Sequence, residues 1–303
     1  MAVGNDEPSC IEPSASAVPL PLDAVFIIAN SLVVSDKAVT AKQNYNLRVV
    51  ETLAAARILA RSLGIKVAKD EKVTLREVVG QLAGEVEERM ECKAERLKPR
   101  NATEDGQLGV TMEEMIEMSG LSTEEFNKVY LSWVEVKATH FQLYECAKHV
   151  LSEASQVLQF RQTCLSAASQ ASNPFTESLS PIDVAKTLGH CDQLYQCSCD
   201  ELNELTKISR DAGALGSRLT GAGWGGCTVS LVPESDVDGF IKKVSERYGP
   251  FKDLKGEALN EVIFDKKLSS GLVCINSSDS EGKIQDGRYA YNLFGSKKER
   301  LPQ

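Results

Sequence analysis

The sequence predicts an α+β fold in which helices cover one face of a mainly antiparallel sheet. Three observations lead to it. Ala24-Val25-Phe26-Ile27-Ile28-Ala29 is a short apolar run closed by Asn30-Ser31, which reads as a buried strand. The long middle of the chain carries apolar residues at helical spacing. The last third then alternates a strand near 228–232, a helix near 235–248 and strands near 261–264 and 271–275.

Residues 1–22 are rich in Pro, Ser and Ala and read as a disordered leader. After the first strand, a helix is expected from about Asn44 to Leu63, with Leu47, Val50, Ala54 and Ile58 on one face and Gly64 as its stop. Residues 66–110 are charged and partly irregular, and Thr74-Leu75-Arg76-Glu77 has the spacing of a capping box. Ser122-Thr123-Glu124-Glu125 marks another helix start. A long helix is expected from about Glu135 to Phe160, through Leu143, Ala147, Val150 and Leu151. Pro181 suits the first turn of a further helix, and Leu202, Leu205 and Ile208 lie on the next. Residues 23–276 make one domain, and the polar stretch 277–303 reads as a disordered tail.

Composition excludes several function classes. A net charge of -9 over 303 residues argues against general nucleic-acid binding, which needs clustered Lys and Arg. No window approaches the 18 or so uninterrupted apolar residues of a membrane span, so no membrane partner is expected. Asp6, Glu7 and Glu12 stand where a secretory signal has basic residues. Nine scattered cysteines, an odd count, fit a reducing cytoplasm better than a disulfide framework. Cys191, Cys197 and Cys199 beside His190 lack the paired C-x2-C spacing typical of zinc, and no metal site is assigned. The acidic cluster Glu85, Glu87, Glu88 and Glu91 reads as a solvated helix face. His140 and His149 lie too far apart in sequence to pair as ligands on one helical turn.

The segment that carries chemistry is Gly216-Ser217-Arg218-Leu219-Thr220-Gly221-Ala222-Gly223-Trp224-Gly225-Gly226-Cys227, leading into Thr228-Val229-Ser230-Leu231-Val232. Glycines permit positive φ and close approach to the main chain, so this loop suits a phosphorylated ligand or a neighbour that holds one. A tight helix-to-strand connection explains the glycines equally well. The loop is neither a Walker A loop nor a G-x-G-x-x-G dinucleotide site. A second polar constellation follows the first strand, with Ser35-Asp36-Lys37 and then Thr40-Ala41-Lys42-Gln43-Asn44-Tyr45-Asn46-Leu47-Arg48. Its Lys and hydroxyls suit a nucleotide and its Tyr a sugar, although a solvated loop and helix cap account for it as well.

Read together, the two constellations resemble the galactokinase branch of the GHMP sugar kinases, in its fungal form. Ser217 to Cys227 is similar to the third motif of that family. Ala29 to Val33, Ser35-Asp36-Lys37 and Asn44-Tyr45-Asn46-Leu47-Arg48-Val49-Val50-Glu51 resemble the matching family segment. Tyr144 to Val150 and Cys191 to Cys199 add supporting matches, and the similarity runs from about residue 24 to 275. The resemblance implies a GHMP-kinase C-terminal domain with an antiparallel, ferredoxin-like sheet covered by helices. It implies ATP and Mg2+ as cofactors, galactose as substrate, and galactose 1-phosphate, the Leloir-pathway product. It places Ser35, Asp36 and Lys37 near the nucleotide and Tyr45 against galactose. It sets Gly221, Ala222, Gly223, Gly225 and Gly226 near the phosphates.

The family's first motif (Gly-Arg-x-x-Gly-Glu-His-x-Asp), its second (Gly-Leu-Ser-Ser-Ser-Ala) and the Gly-Gly-Met-Asp-Gln segment with the catalytic Asp do not occur in this sequence. The chain is therefore expected to be the C-terminal part only, with no catalytic residue of its own and little activity alone. It would be completed by an N-terminal half. The alternative within the same resemblance is a non-catalytic galactose and ATP sensor that engages a repressor protein.

Overall fold

The computed structural model describes residues 14–18, 24–34, 40–82, 94–98, 109–170, 195–266 and 272–276. Ser14–Val18 forms β1 and Ala24–Asn30 forms β2. Helix α1 spans Tyr45–Ser62 and α2 spans Leu75–Gly80. The two-residue strands β3 (Val110–Thr111) and β4 (His140–Phe141) flank α3 (Met112–Ser119) and α4 (Thr123–Phe126). Helix α5 runs Leu143–Gln170 and α6 Asp200–Ala212. Strands β5 (Gly216–Leu219) and β6 (Cys227–Pro233), helix α7 (Val237–Arg247), helix α8 (Glu257–Asn260) and strands β7 (Ile263–Lys266) and β8 (Leu272–Asn276) complete the order.

Four strands pair antiparallel in the order β5-β6-β2-β7. Alternation along β2 decides what each face meets. Val25, Ile27 and Ala29, with Val232 and Ile263, pack against Leu205 and Ile208 of α6 and Phe240 and Val244 of α7. Phe26 points the other way and meets Leu231. A separate helical core surrounds α1, where Ala54, Ala55, Ala56, Leu59 and Ala60 let Met115, Phe126, Phe141 and Ala147 approach closely. The architecture is thus the expected antiparallel sheet with helices on one face, joined to a helical layer around α1 and α5.

Three differences from the sequence reading have their causes in tertiary pairing. The long helix begins at Leu143 rather than near 135, because His140–Phe141 pairs with Val110–Thr111 and the Gln142 amide is taken by the Glu51 carboxylate at 2.7 Å. Within the stretch read as a leader, Ser14–Val18 is a strand paired with Leu272–Asn276. Gly216–Leu219, read as part of the loop, is a strand because its backbone is paired along β6. The helix expected after Pro181, the acidic cluster 85–91, His190 and Cys191 lie outside the described residues.

Local signals hold where they were legible. Thr74 and Glu77 form the expected capping box, and Ser122–Glu125 and Thr111–Glu114 form two more. The Thr111 side chain accepts from the Glu114 amide and starts the helix that carries buried Met115. Thr111→Ala is expected to cost about 1 kcal/mol, read as a lower urea midpoint at unchanged slope.

Candidate functional site

Register brings the segment that follows β2 and the glycine-rich loop to one end of the sheet. Asn30, the last residue of β2, lies opposite Cys227, the first of β6, so the segment after β2 and the glycine-rich loop before β6 leave side by side. They are then joined. Ser31 donates to the Gly226 carbonyl through both its amide and its hydroxyl, each at 2.8 Å, and the Gly226 amide donates to the Val33 carbonyl at 3.1 Å. Thr220 closes the β5–β6 hairpin by donating its amide to the Cys227 carbonyl at 2.9 Å. Beneath the turn, the Tyr248 hydroxyl donates to the Ser31 carbonyl at 2.8 Å. Burial, then the Glu204 and Glu201 carboxylates, push that hydroxyl up to about 12, so it remains a donor at neutral pH.

Between the segments lies a concavity of about 410 Å3. One wall is Asn30 and Leu32–Val34, and the other is Thr220–Gly223 with Gly225 and Gly226. Val34 at 91% and Leu32 at 44% exposure make an apolar rim.

Backbone conformation concentrates here. Gly221, Gly223, Trp224, Gly225 and Gly226 all have positive φ, between 53° and 137°. Among the described residues the non-glycine positions with positive φ are Leu32, Gln196 and Trp224. Leu32 lines the concavity, Trp224 is in the loop, and Gln196 precedes Cys197, whose carbonyl accepts the Trp224 amide at 2.7 Å. Such residues persist only where their surroundings hold them, and they cluster at ligand sites. The amides of Gly221, Ala222, Gly223 and Gly225 have no hydrogen-bond partner among the described residues, and Gly223 and Gly225 are buried. Unpaired amides in a turning backbone form a nest suited to an anion.

The predicted site residues divide. Gly221, Ala222, Gly223, Gly225 and Gly226 line the concavity together. Tyr45 opens α1 and is 41% exposed, and it does not line the concavity. Ser35, Asp36 and Lys37 lie outside the described residues, directly after Val34 in the chain. Among the described residues no group of three or more His, Cys, Asp or Glu side chains is placed to hold a metal ion.

A polar seam behind the loop was not foreseen. On α5, Cys146, His149 and Glu153 share one face. Cys146 donates to Glu51, which pairs with Arg48 at 3.1 Å, and its thiol is pushed up mainly by burial. The His149 ring stacks on Tyr195 at 4.5 Å, and burial lowers its pKa against the opposing pull of Glu153. Glu153 pairs with Arg218 of β5. His149 is thus packed against Tyr195 on the seam.

Residues 179–249 match the family described as GHMP kinases C terminal. Within that class the chain is a homologue of the galactokinases. It is 38% identical over 247 residues to galactokinase of Dictyostelium discoideum, covering 76% of this chain and 47% of that protein. It is 35% identical over 239 residues to galactokinase of Saccharomyces cerevisiae, covering 73% and 45%. The chain therefore spans about half the length of the curated relatives it matches. Its fold is similar to the crystal structure of Lactococcus lactis galactokinase complexed with galactose, with a TM-score of 0.50 at 17% identity, covering 86% of this chain and 48% of that one. Among the described residues no helix is long and apolar enough to cross a membrane.

Proposed function

We propose that this chain supplies the C-terminal half of a galactokinase, which moves the γ-phosphoryl of ATP to the 1-hydroxyl of galactose in the cytoplasm. The observation that carries the reading is the glycine-loop concavity, with its run of positive φ and its unpaired amides. Phosphoryl transfer depends on positioning and on stabilising charge spread over phosphate oxygens. Fixed backbone amides meet that need without reorganising during the reaction.

In this reading the loop braces the nucleotide phosphates, Ser35, Asp36 and Lys37 serve the nucleotide, and Tyr45 serves the sugar. Magnesium would accompany ATP. Among the described residues no group of three or more His, Cys, Asp or Glu side chains is placed to hold it. The chain by itself has little activity, because the motifs that wrap the phosphates and supply the catalytic carboxylate do not occur in its sequence. None of the observations favours the galactose-sensing regulator.

The test joins halves. The 303-residue chain alone is expected to consume ATP at background rate with galactose present. Fused behind the N-terminal half of the Dictyostelium galactokinase, it is expected to form galactose 1-phosphate. Ordinary kinase turnover by the chain alone, or a folded, soluble fusion with none, would overturn the reading.

A further inference from the structure

The glycine-rich loop is a backbone structure with positive φ at five of the six positions 221–226, and something outside it must hold that conformation. Its two limbs are each tied to helix α5. At the first limb, Arg218 of β5 pairs with Glu153 and also donates from Nε to the Leu219 carbonyl at 3.4 Å, the last strand residue before the loop. The guanidinium therefore bridges a helix carboxylate to the loop entrance.

At the far limb, the Trp224 amide donates to the Cys197 carbonyl, and Gly223 is pressed so closely there that a Cβ would lie 1.8 Å from the same oxygen. Cys197 is two residues beyond Tyr195, whose ring stacks on His149 with 24° between the planes. Gln196 between them holds a positive φ of 50°, which makes the connection tight. Tyr195 is fixed from its other end by Thr52 of α1, 3.4 Å from its hydroxyl.

His149 and Glu153 stand four residues apart, one turn on the same helical face. We propose that these two side chains are positioning residues that clamp the two limbs of the glycine-rich loop to one rigid helix and so fix the loop's shape. Glu153 acts through Arg218 on the entering strand, and His149 acts through Tyr195 and Cys197 on the returning limb. The consequence for catalysis rests on the phosphate-facing reading above, but the clamp is tested without nucleotide, so the two proposals fail separately.

Amide hydrogen exchange in the 303-residue chain reads the loop directly, at Thr220 for the first limb and at Trp224 and Gly226 for the second. Glu153→Gln is expected to speed exchange at Thr220 about fivefold, the scale of losing a part-exposed ion pair. His149→Leu, which keeps apolar volume but loses the ring stack, is expected to speed Trp224 by a similar factor of about five. His149→Phe keeps a ring against Tyr195 and is expected to leave Trp224 near its original rate. Amides in the middle of α1, such as Ala54 and Leu59, should not change in any variant. The clamp is overturned if the loop amides are unchanged in Glu153→Gln and His149→Leu. It is equally overturned if α1 loosens as much as the loop, or if His149→Phe behaves like His149→Leu.

Discussion

Gly223→Ala is expected to destabilise the chain by about 3 kcal/mol, far more than alanine at Gly221 or Gly226 of the same loop. Gly223 has a φ of 84°, where an L-residue is strained by about 1–2 kcal/mol. A Cβ there would also stand 1.8 Å from the Cys197 carbonyl oxygen and 2.9 Å from its carbon. Backbone cannot step aside as a long side chain can, so the Cys197 limb must move. That movement breaks the bond from the Trp224 amide, a further loss of about 1 kcal/mol.

Gly221 and Gly226 are the internal controls. Their φ values are 81° and 82°, but among the described residues a Cβ at either meets nothing within 4 Å. Alanine at those positions should cost only the conformational penalty, about 1 kcal/mol each. Urea unfolding of the three variants separates steric contact from backbone preference. Equal losses at all three would show that the Cys197 approach is not what requires glycine at 223.

The contrast among these glycines also marks what the sequence could reveal. Five glycines in twelve residues announced an unusual backbone, and the seven-residue run ending at Asn30 announced a strand that aims a polar segment. Both are local signals, and their meeting at one sheet end follows from the antiparallel register of β2 with β6. Which glycine is sterically obligatory was not legible, because the answer lies in Cys197, a residue 26 positions upstream.

The same limit explains the other misses. Helix α5 starts late because Gln142 is claimed by Glu51, 91 residues away. Gly216–Leu219 has no apolar alternation, and only its pairing with β6 makes it a strand. The seam from Glu51 through His149 to Arg218 is assembled from single residues on α1, α5 and β5, each unremarkable in its own stretch of sequence. Capping boxes at Thr74 and Ser122, by contrast, close within three residues and were legible at once.

The innermost part of that seam gives a loss of stability that depends on pH. Glu51 is fully buried on α1 and accepts from the Gln142 amide at 2.7 Å and from the Cys146 thiol at 3.2 Å. Arg48, three residues earlier and 6% exposed, is its cation at 3.1 Å. Burial raises the Glu51 pKa above 4.5, and the Arg48 charge is the largest influence opposing the rise. A carboxylate whose folded-state pKa is raised binds its proton more readily when folded. Its contribution to stability is full below the unfolded value and is lost as pH rises through the folded one.

Arg48→Met removes the opposing charge while keeping a long apolar stem in the core. The Glu51 pKa then climbs further, and more stability is lost as pH rises through that raised value. At pH 8 an uncompensated buried carboxylate should cost about 3–5 kcal/mol. At pH 5 protonation of Glu51 is favoured more than at pH 8, and the loss should shrink. Part of the effect is offset because the Arg48 Nε is itself buried with no partner among the described residues, and methionine removes that donor. Adding Glu51→Gln to Arg48→Met removes the charge and should recover much of the pH 8 loss while flattening its pH dependence. Denaturant midpoints at the two pH values measure all of this, and an equal loss at pH 5 and pH 8 would show that packing around Arg48, rather than the Glu51 charge, holds the two helices together.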